Sequence, residues 1–376
     1  MPTVLIGADI CPIEANLPLL QTGNARALLN DLQPEFERAD LIIANLECPL
    51  IDHPSPIAKT GPTFGAPPES INGIKAIGVD VLCLANNHIL DHGAAGLEKT
   101  LSVCAEAGIQ TVGAGENIFA ARRILVKKVG TTRVGILAVA EHEFSIASKT
   151  SYGANPIDLV DIVRNINENK SQFDYLLVLV HGSAEFHVPT PRTREICRFF
   201  VEIGANAVIV QHPHCLGGYE EYRGAHIVYG QGAFIMDEAI YRDMQSFHEG
   251  FLVDLSISEG GSSRMEIIPF VQSYPTPGAR RMAPEREAAF RKVLAAKCSI
   301  LEDDDLVERE WLKYCQNRRQ SYMSAVLGHH KLLRKLDFRG FLTRVLHGSR
   351  SLLGVRNVIN CETHREALQT LFNKGL

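Results

Sequence analysis

The sequence predicts a layered α/β fold, and three observations carry that prediction. Short, β-branched apolar runs alternate with segments of helical period through most of the chain. Polar residues able to bind a metal stand directly after five of those runs. The later apolar runs follow one another without intervening helices, as antiparallel strands do.

The elements follow in order. A strand over 4–6 ends at Gly7-Ala8-Asp9, and a helix is expected over 24–38. A second strand, 41–44, ends at Asn45-Leu46-Glu47. Residues 49–68 are rich in Pro and Gly and read as a loop, of a length that is usually functional. A helix over 69–77 leads to a strand over 79–84, and then to the turn Ala85-Asn86-Asn87-His88-Ile89-Leu90-Asp91. A helix over 97–107, a strand at 110–112 and a hairpin pairing 124–126 with 134–137 come next. Helix 157–169 feeds the apolar strand 175–180, which ends at His181-Gly182. Helix 192–203 feeds strand 207–210, which ends at Gln211-His212-Pro213-His214. Strands near 227–229, 251–257 and 265–271 close the pattern. Composition shifts at Tyr274-Pro275-Thr276-Pro277-Gly278, so the main domain is expected to span 1–273. Residues 274–376 are expected to form a helical extension, with helices over 284–298, 303–327 and 331–346.

Composition bounds the function. With 376 residues, 45% hydrophobic and 22% charged, the chain can bury a sizeable core. A net charge of -5 excludes the basic footprint of a nucleic-acid binder. The nine cysteines are scattered, odd in number and without Cys-x-x-Cys spacing, which argues for reduced thiols and a cytoplasmic setting. No apolar run approaches the roughly 20 residues of a membrane span, and the N-terminus enters a strand without a signal-peptide pattern. A cytoplasmic location is therefore expected.

The ends of parallel strands converge on one edge of a sheet, so residues far apart in sequence can meet there. Asp9, Glu47, Asn87 with His88, His181, and His212 with His214 all hold such positions. Singly, each has an ordinary explanation: Asn and Asp cap helices, and a lone His is usually a satisfied core residue. Together, two carboxylates, an amide oxygen and three imidazoles form an oxygen–nitrogen donor set suited to Mn, Fe or Zn. That is more than one ion needs, so two divalent ions are the expected cofactors.

Several motifs carry a resemblance. Gly7-Ala8-Asp9, Ala44-Asn45-Leu46-Glu47-Cys48-Pro49-Leu50, Lys59-Thr60-Gly61-Pro62-Thr63-Phe64 and Ala85-Asn86-Asn87-His88 stand in order along the chain. Asp91-His92-Gly93, His181-Gly182-Ser183-Ala184-Glu185-Phe186, His212-Pro213-His214 and Tyr229-Gly230-Gln231-Gly232-Ala233-Phe234 follow them. Up to about Val271 the chain resembles the CapA family of capsule and poly-γ-glutamate synthesis proteins, a branch of the calcineurin-type metallophosphoesterases.

The resemblance implies a four-layer α/β/β/α sandwich with a dinuclear centre between its sheets. It implies that Glu47 bridges the ions, with Asp9 and His214 completing one and Asn87, His181 and His212 the other. His88 would be the acid or transition-state stabiliser, Asp91 its orienting carboxylate, and Lys59 a loop cation over the site for an anionic small-molecule or polymer substrate. Gly182 and Ala233 stand where relatives commonly have Trp and Asn, and Gln211 replaces the Gly or His often found before His-Pro-His.

Three functions remain open on this reading. The leading one is a phosphoester hydrolase of capsule or surface-polymer biosynthesis. The others are an amide hydrolase or transferase on a γ-glutamyl-like polymer, and a non-catalytic metal-binding assembly component. Between His330 and Arg356 the charges are almost all basic, with apolar residues near helical period. Such a helix can lie on an anionic membrane surface, so peripheral membrane contact is one expectation for this tail. A helix packed on its own domain with a solvated charged face is the commoner outcome and the preferred one.

Overall fold

The computed structural model describes residues 1–185, 188–326 and 349–360, with positions 337, 364–365 and 368 beyond them. Strands β1 (Thr3–Ile10), β2 (Leu41–Leu46), β3 (Val81–Cys83) and β4 (Gln110–Val112) run parallel, each beside the next. After the short β5 (Ala114–Gly115) come β6 (Leu125–Val129), β7 (Thr132–Ala140) and β8 (Gly153–Ala154). Then follow β9 (Tyr175–His181), β10 (Ala207–Gln211), β11 (Tyr219–Tyr222), β12 (Ala225–Val228) and β13 (Ala233–Ile235). Last are β14 (Glu249–Ile257), β15 (Ser263–Gln272) and β16 (Ala279–Arg281).

These strands build two main sheets. The first has eight strands in the order β16-β15-β14-β1-β2-β3-β4, with β13 pairing in parallel with the end of β1. The second has six, in the order β11-β12-β10-β9-β7-β6, and its central β7, β9, β10 and β12 are parallel.

Parallel strands covered on both faces read as continuous apolar runs, and β2, β9 and β10 are buried at every residue. Alternate residues of the second sheet serve different cores. Ile136, Ala138, Leu177, Leu179 and Ile209 share one cluster with Val4, Ile6 and Ile43 of the first sheet. Leu137, Val139, Leu176, Val178 and Val208 pack instead on Ile162 and Ile166 of the helix Leu159–Asn169 and on Cys197 and Phe200 of the helix Pro191–Glu202. Leu28, Phe36, Ile74 and Leu97, from helices on the first sheet, complete that sheet's core. The result is the expected four-layer α/β/β/α sandwich.

The helix expected over 24–38 is divided into Ala25–Leu29, a 3-10 turn Asn30–Leu32 and Gln33–Arg38. Pro34 has no N–H for the carbonyl of Asn30 and would clash with it. Asn30 turns to a φ of 49° and its side-chain amide donates to the carbonyls of Ala27 and Ala279. The strands β11, β13 and β16 were not anticipated from the sequence; each is short and carries no clear two-residue alternation.

The domain boundary expected at 273 falls inside a compact unit that runs from Met1 to Arg309; a second unit comprises Glu310–Leu376. The Pro- and Gly-rich stretch at 274–278 is a turn between the antiparallel β15 and β16, not a linker. The amide of Gly278 donates to Asn16 Oδ1 at 2.8 Å, and Asn16 Nδ2 donates to Ser273 Oγ at 2.6 Å. The helix Pro284–Leu301 buries Phe290, Leu294 and Leu301, with Phe290 edge-on to Phe251 at 6.4 Å. Burying each such side chain contributes about 1.5–3 kcal/mol, a large share of the ~5–15 kcal/mol by which domains are stable. A chain ending at Arg309 should therefore melt cooperatively near the full-length temperature, whereas one ending at Ser273 should aggregate or melt far lower. Equal melting of the two would show that the segment between is an appendage.

The basic stretch expected over 331–346 lies, save for Asp337, outside the described residues. Among the described residues no helix is long and apolar enough to cross a membrane.

Candidate metal centre

Each donor is delivered by the end of a strand. Asp9 is the penultimate residue of β1, just past a register shift, where it stands opposite Asn45 on one side and Ala233 on the other. Glu47 follows β2 directly, and its amide donates to the carbonyl of Ile10. Asn87 and His88 lie in the turn after β3, which Asn86 organises: its Nδ2 donates to Leu46 O and Asn45 Oδ1, and its Oδ1 accepts from the amide of His88. His181 ends β9 opposite Gln211, the last residue of β10, so His212 and His214 emerge beside it. Both take positive φ, 92° and 49°, a conformation L-residues seldom adopt and one that clusters at functional sites.

The donors meet between the two sheets. His181 Nε2 lies 3.2 Å from Glu47 Oε1, and His212 Nδ1 lies 3.7 Å from the same oxygen. His214 Nε2 lies 3.1 Å from Glu47 Oε2 and 3.7 Å from Asp9 Oδ2. Asn87 Oδ1 sits 3.1 Å from His181 Nε2. Two groups of side chains could each hold a metal ion: Glu47 with His181 and His212, and Glu47 with Asp9 and His214. Within each group the donor atoms fall within 4.8 Å of one another, and Glu47 belongs to both.

The environment is buried and strongly charged. Asp9 and Glu47 are fully buried, and His181 and His214 nearly so. Burial, aided by the nearby Glu47 charge, pushes the Asp9 carboxyl up to about 7. Burial also opposes ionisation of Glu47, but His214 and His181 outweigh it and hold Glu47 well below the usual carboxylate range. Burial drives His181 down to about 4 despite Glu47. At His214 the order reverses: Glu47 and Asp9 overcome burial and raise it to about 9.

The donor set fits a metal. Glu47 Oε1, His212 Nδ1 and His214 Nδ1 are buried without a hydrogen-bond partner. Each such orphan costs about 1–3 kcal/mol, and native interiors rarely tolerate several at one point. Oxygen and imidazole donors converging on shared points are instead the pattern of a hard-to-borderline divalent site.

Beside this cluster lies a second arrangement. His88 Nδ1 is 2.6 Å from Asp91 Oδ2, which also accepts from the amide of Phe64 at 2.7 Å. Lys59 Nζ donates to Asp91 Oδ1 at 2.7 Å and to the carbonyl of Asn87 at 3.2 Å. The ring of Phe64 packs on His88 with centroids 4.6 Å apart. Lys59, the loop cation that the resemblance sets over the site, has a side chain 2% exposed and paired with Asp91. A Lys drawn into a low-dielectric loop needs such a partner, which the sequence could not specify.

Three further residues support the centre. Asn45 Nδ2 donates to Asp9 Oδ1 at 2.7 Å and lies 3.3 Å from His181 Nδ1, orienting both. Ser145 Oγ donates to Asn86 O at 2.5 Å and so braces the turn. Glu185 Oε1 approaches His214 Nδ1 to 3.7 Å. An Asn inside an otherwise apolar strand is the available signal for the first, and Glu185 stands in the motif that begins at His181, whereas nothing local marks Ser145.

A buried carboxylate–imidazole cluster at the shared edge of two parallel-stranded layers defines the class of this α/β sandwich protein. The family follows from the stretch that carries the cluster: residues 9–238 match the family described as bacterial capsule synthesis protein PGA_cap, and the chain belongs to it. A capsule biosynthesis protein CapA of Bacillus anthracis is 27% identical over 272 residues, 70% of this chain and 65% of that protein. A PGA biosynthesis protein CapA of Bacillus subtilis (strain 168) is 28% identical over 67% of each chain. A probable polyglutamine synthesis accessory protein of Mycobacterium tuberculosis is 28% identical over 65% of this chain and 67% of its own. The chain thus spans about two thirds of the length of these relatives, 65% for the first. Among solved structures, a hypothetical protein from Thermus thermophilus overlaps 72% of this chain and 98% of its own, at 17% identity and a TM-score of 0.46. A 5'-nucleotidase precursor from the same organism overlaps 80% of this chain and 59% of its own, at 13% identity and a TM-score of 0.43.

Proposed function

We propose that this chain is a metal-dependent hydrolase of phosphoester type that works in capsule or other surface-polymer biosynthesis. The observation that carries the reading is the pair of donor groups sharing Glu47. Asp9, Glu47 and His214 would hold one divalent ion, and Glu47, His181, His212 and Asn87 the other. When bound, such a pair supplies Lewis-acid activation of the reacting phosphoryl or acyl group and of the attacking water. The place in capsule synthesis rests on family membership and on the capsule and poly-glutamate roles in the names of its relatives.

The chain's own residues divide the remaining work. Asp91 accepts from His88 Nδ1 and so fixes the proton on that nitrogen in neutral His88, leaving Nε2 to carry the transferable proton when the ring is charged. His88 Nε2 then donates to the leaving atom. Lys59 acts through Asp91: it holds the carboxylate against His88 and is a positioning residue. Asn45 keeps Asp9 and His181 in register across the two sheets.

Protein purified without chelator should contain about two ions of Mn, Fe or Zn per chain by elemental analysis, as two-metal sites do. It should hydrolyse aryl phosphodiesters or monoesters once loaded with Mn. A chain that neither carries nor takes up these metals overturns the reading; one that loads metal but turns over no phosphoester, while cleaving a γ-glutamyl amide, moves the assignment to the amide reaction.

A further inference from the structure

The cleft over the His181 side of the centre is lined by Asn87, Glu141, Glu143, His181, Gly182 and His212. Glu141 follows β7, whose last residue, Ala140, stands opposite His181. The amide of Glu141 donates to the carbonyl of His181 at 3.0 Å, which ties its backbone to a residue of the centre. Its side chain then lies across the next residue, Gly182. A Cβ at position 182 would stand 2.5 Å from Glu141 Cγ, 2.6 Å from Cδ and 3.1 Å from Oε2. The first two are distances that real Cβ atoms essentially never show, so in this arrangement the exposed Glu141 side chain lies over Gly182, and a side chain at 182 would turn it aside. The absent side chain of Gly182 thus leaves room for the Glu141 carboxylate beside the cleft that Glu141 and Glu143 line together. Lys59, meanwhile, offers no compensating charge, because it is paired with Asp91.

We propose that Glu141, seated by Gly182, is a specificity-determining residue that selects the charge class of the reacting group. It disfavours dianionic groups such as a terminal phosphomonoester and favours singly charged or neutral ones, an internal phosphodiester or an amide. Coulomb repulsion scales with the product of the charges, so a carboxylate at the rim opposes a dianion about twice as strongly as a monoanion at the same place. The inference rests on the metal-centre reading above and narrows its substrate class.

The test uses the full chain loaded with Mn, with bound metal counted in every sample. Affinities are measured by calorimetry at mildly alkaline pH for inorganic phosphate, a dianion, and dimethyl phosphate, a monoanion. Glu141→Gln keeps the shape and removes the charge. It should tighten phosphate about three- to tenfold at low salt and dimethyl phosphate less, with the gain shrinking as salt screens the rim. Gly182→Ala should shift phosphate affinity the same way by displacing the carboxylate. The double variant Gly182→Ala/Glu141→Ala should match Glu141→Ala alone, since one carboxylate is removed in both. Equal phosphate affinity in wild type and Glu141→Gln, both fully loaded, overturns the inference and leaves the metal centre standing. Wild-type protein that takes up no Mn overturns the metal centre itself, and the inference falls with it.

Discussion

Glu47→Gln is expected to abolish loading of both metal ions, not of one. Glu47 is the residue common to the two donor groups, with Oε1 turned to His181 and His212 and Oε2 to His214. Loss of an outer-shell partner typically weakens metal binding about 10–100-fold. Removing a shared ligand should exceed that range at each position, so that metal content falls from about two ions to near none under the same purification. Asp9→Asn gives the contrast: Asp9 belongs to one group alone, so the ion shared by Glu47, His181 and His212 should persist. The measurement is elemental analysis of the three proteins side by side, with circular dichroism to show that each is folded. If Glu47→Gln retains one ion at full affinity, the two groups are separate and Glu47 is not shared.

Separating His88 from its neighbour Asn87 is the second decisive result. Asn87 turns its side-chain oxygen to His181 Nε2, inside the cluster; His88 turns Nδ1 away, to Asp91. Asn87→Ala should therefore weaken loading of one ion, and His88→Ala should leave metal content nearly unchanged. Loss of a general acid costs roughly 10²–10⁴-fold in rate, and least where the leaving group needs no proton. In His88→Ala an activated aryl phosphate should accordingly suffer less than an alkyl ester. Should His88→Ala strip metal as badly as Asn87→Ala, His88 is a ligand and its proposed role is wrong. If Lys59 acts through Asp91, Lys59→Met should reproduce part of the His88→Ala rate loss while substrate KM stays near wild type.

Much of this was legible in the sequence because it is written locally. Apolar runs such as 175–180 and 207–210 are buried at every residue, so both faces select the same residue types and the strand is visible without its neighbours. The donors follow the same logic. Asp9, Glu47, Asn87, His181, His212 and His214 each stand at or just past the end of a strand, and parallel strands carry such ends to one edge. Family motifs at those positions added the partition into two groups, and the distances are compatible with that partition.

Local pattern and motif thus carry the layer architecture, the family and the residues gathered at the centre. Where the compact unit ends depends on long-range packing, because β16 pairs with β15 and the helix Pro284–Leu301 is held by Phe290 against Phe251. Tertiary contact also places Lys59, whose ion-pair partner Asp91 stands 32 positions further along the chain. The same holds for Glu141, whose side chain lies over Gly182, a residue 41 positions further along the chain. The physical reason is common to all three. Burial of an apolar face repeats along a strand and leaves a period to read, whereas an ion pair or a steric fit is made once, between two residues, and leaves none.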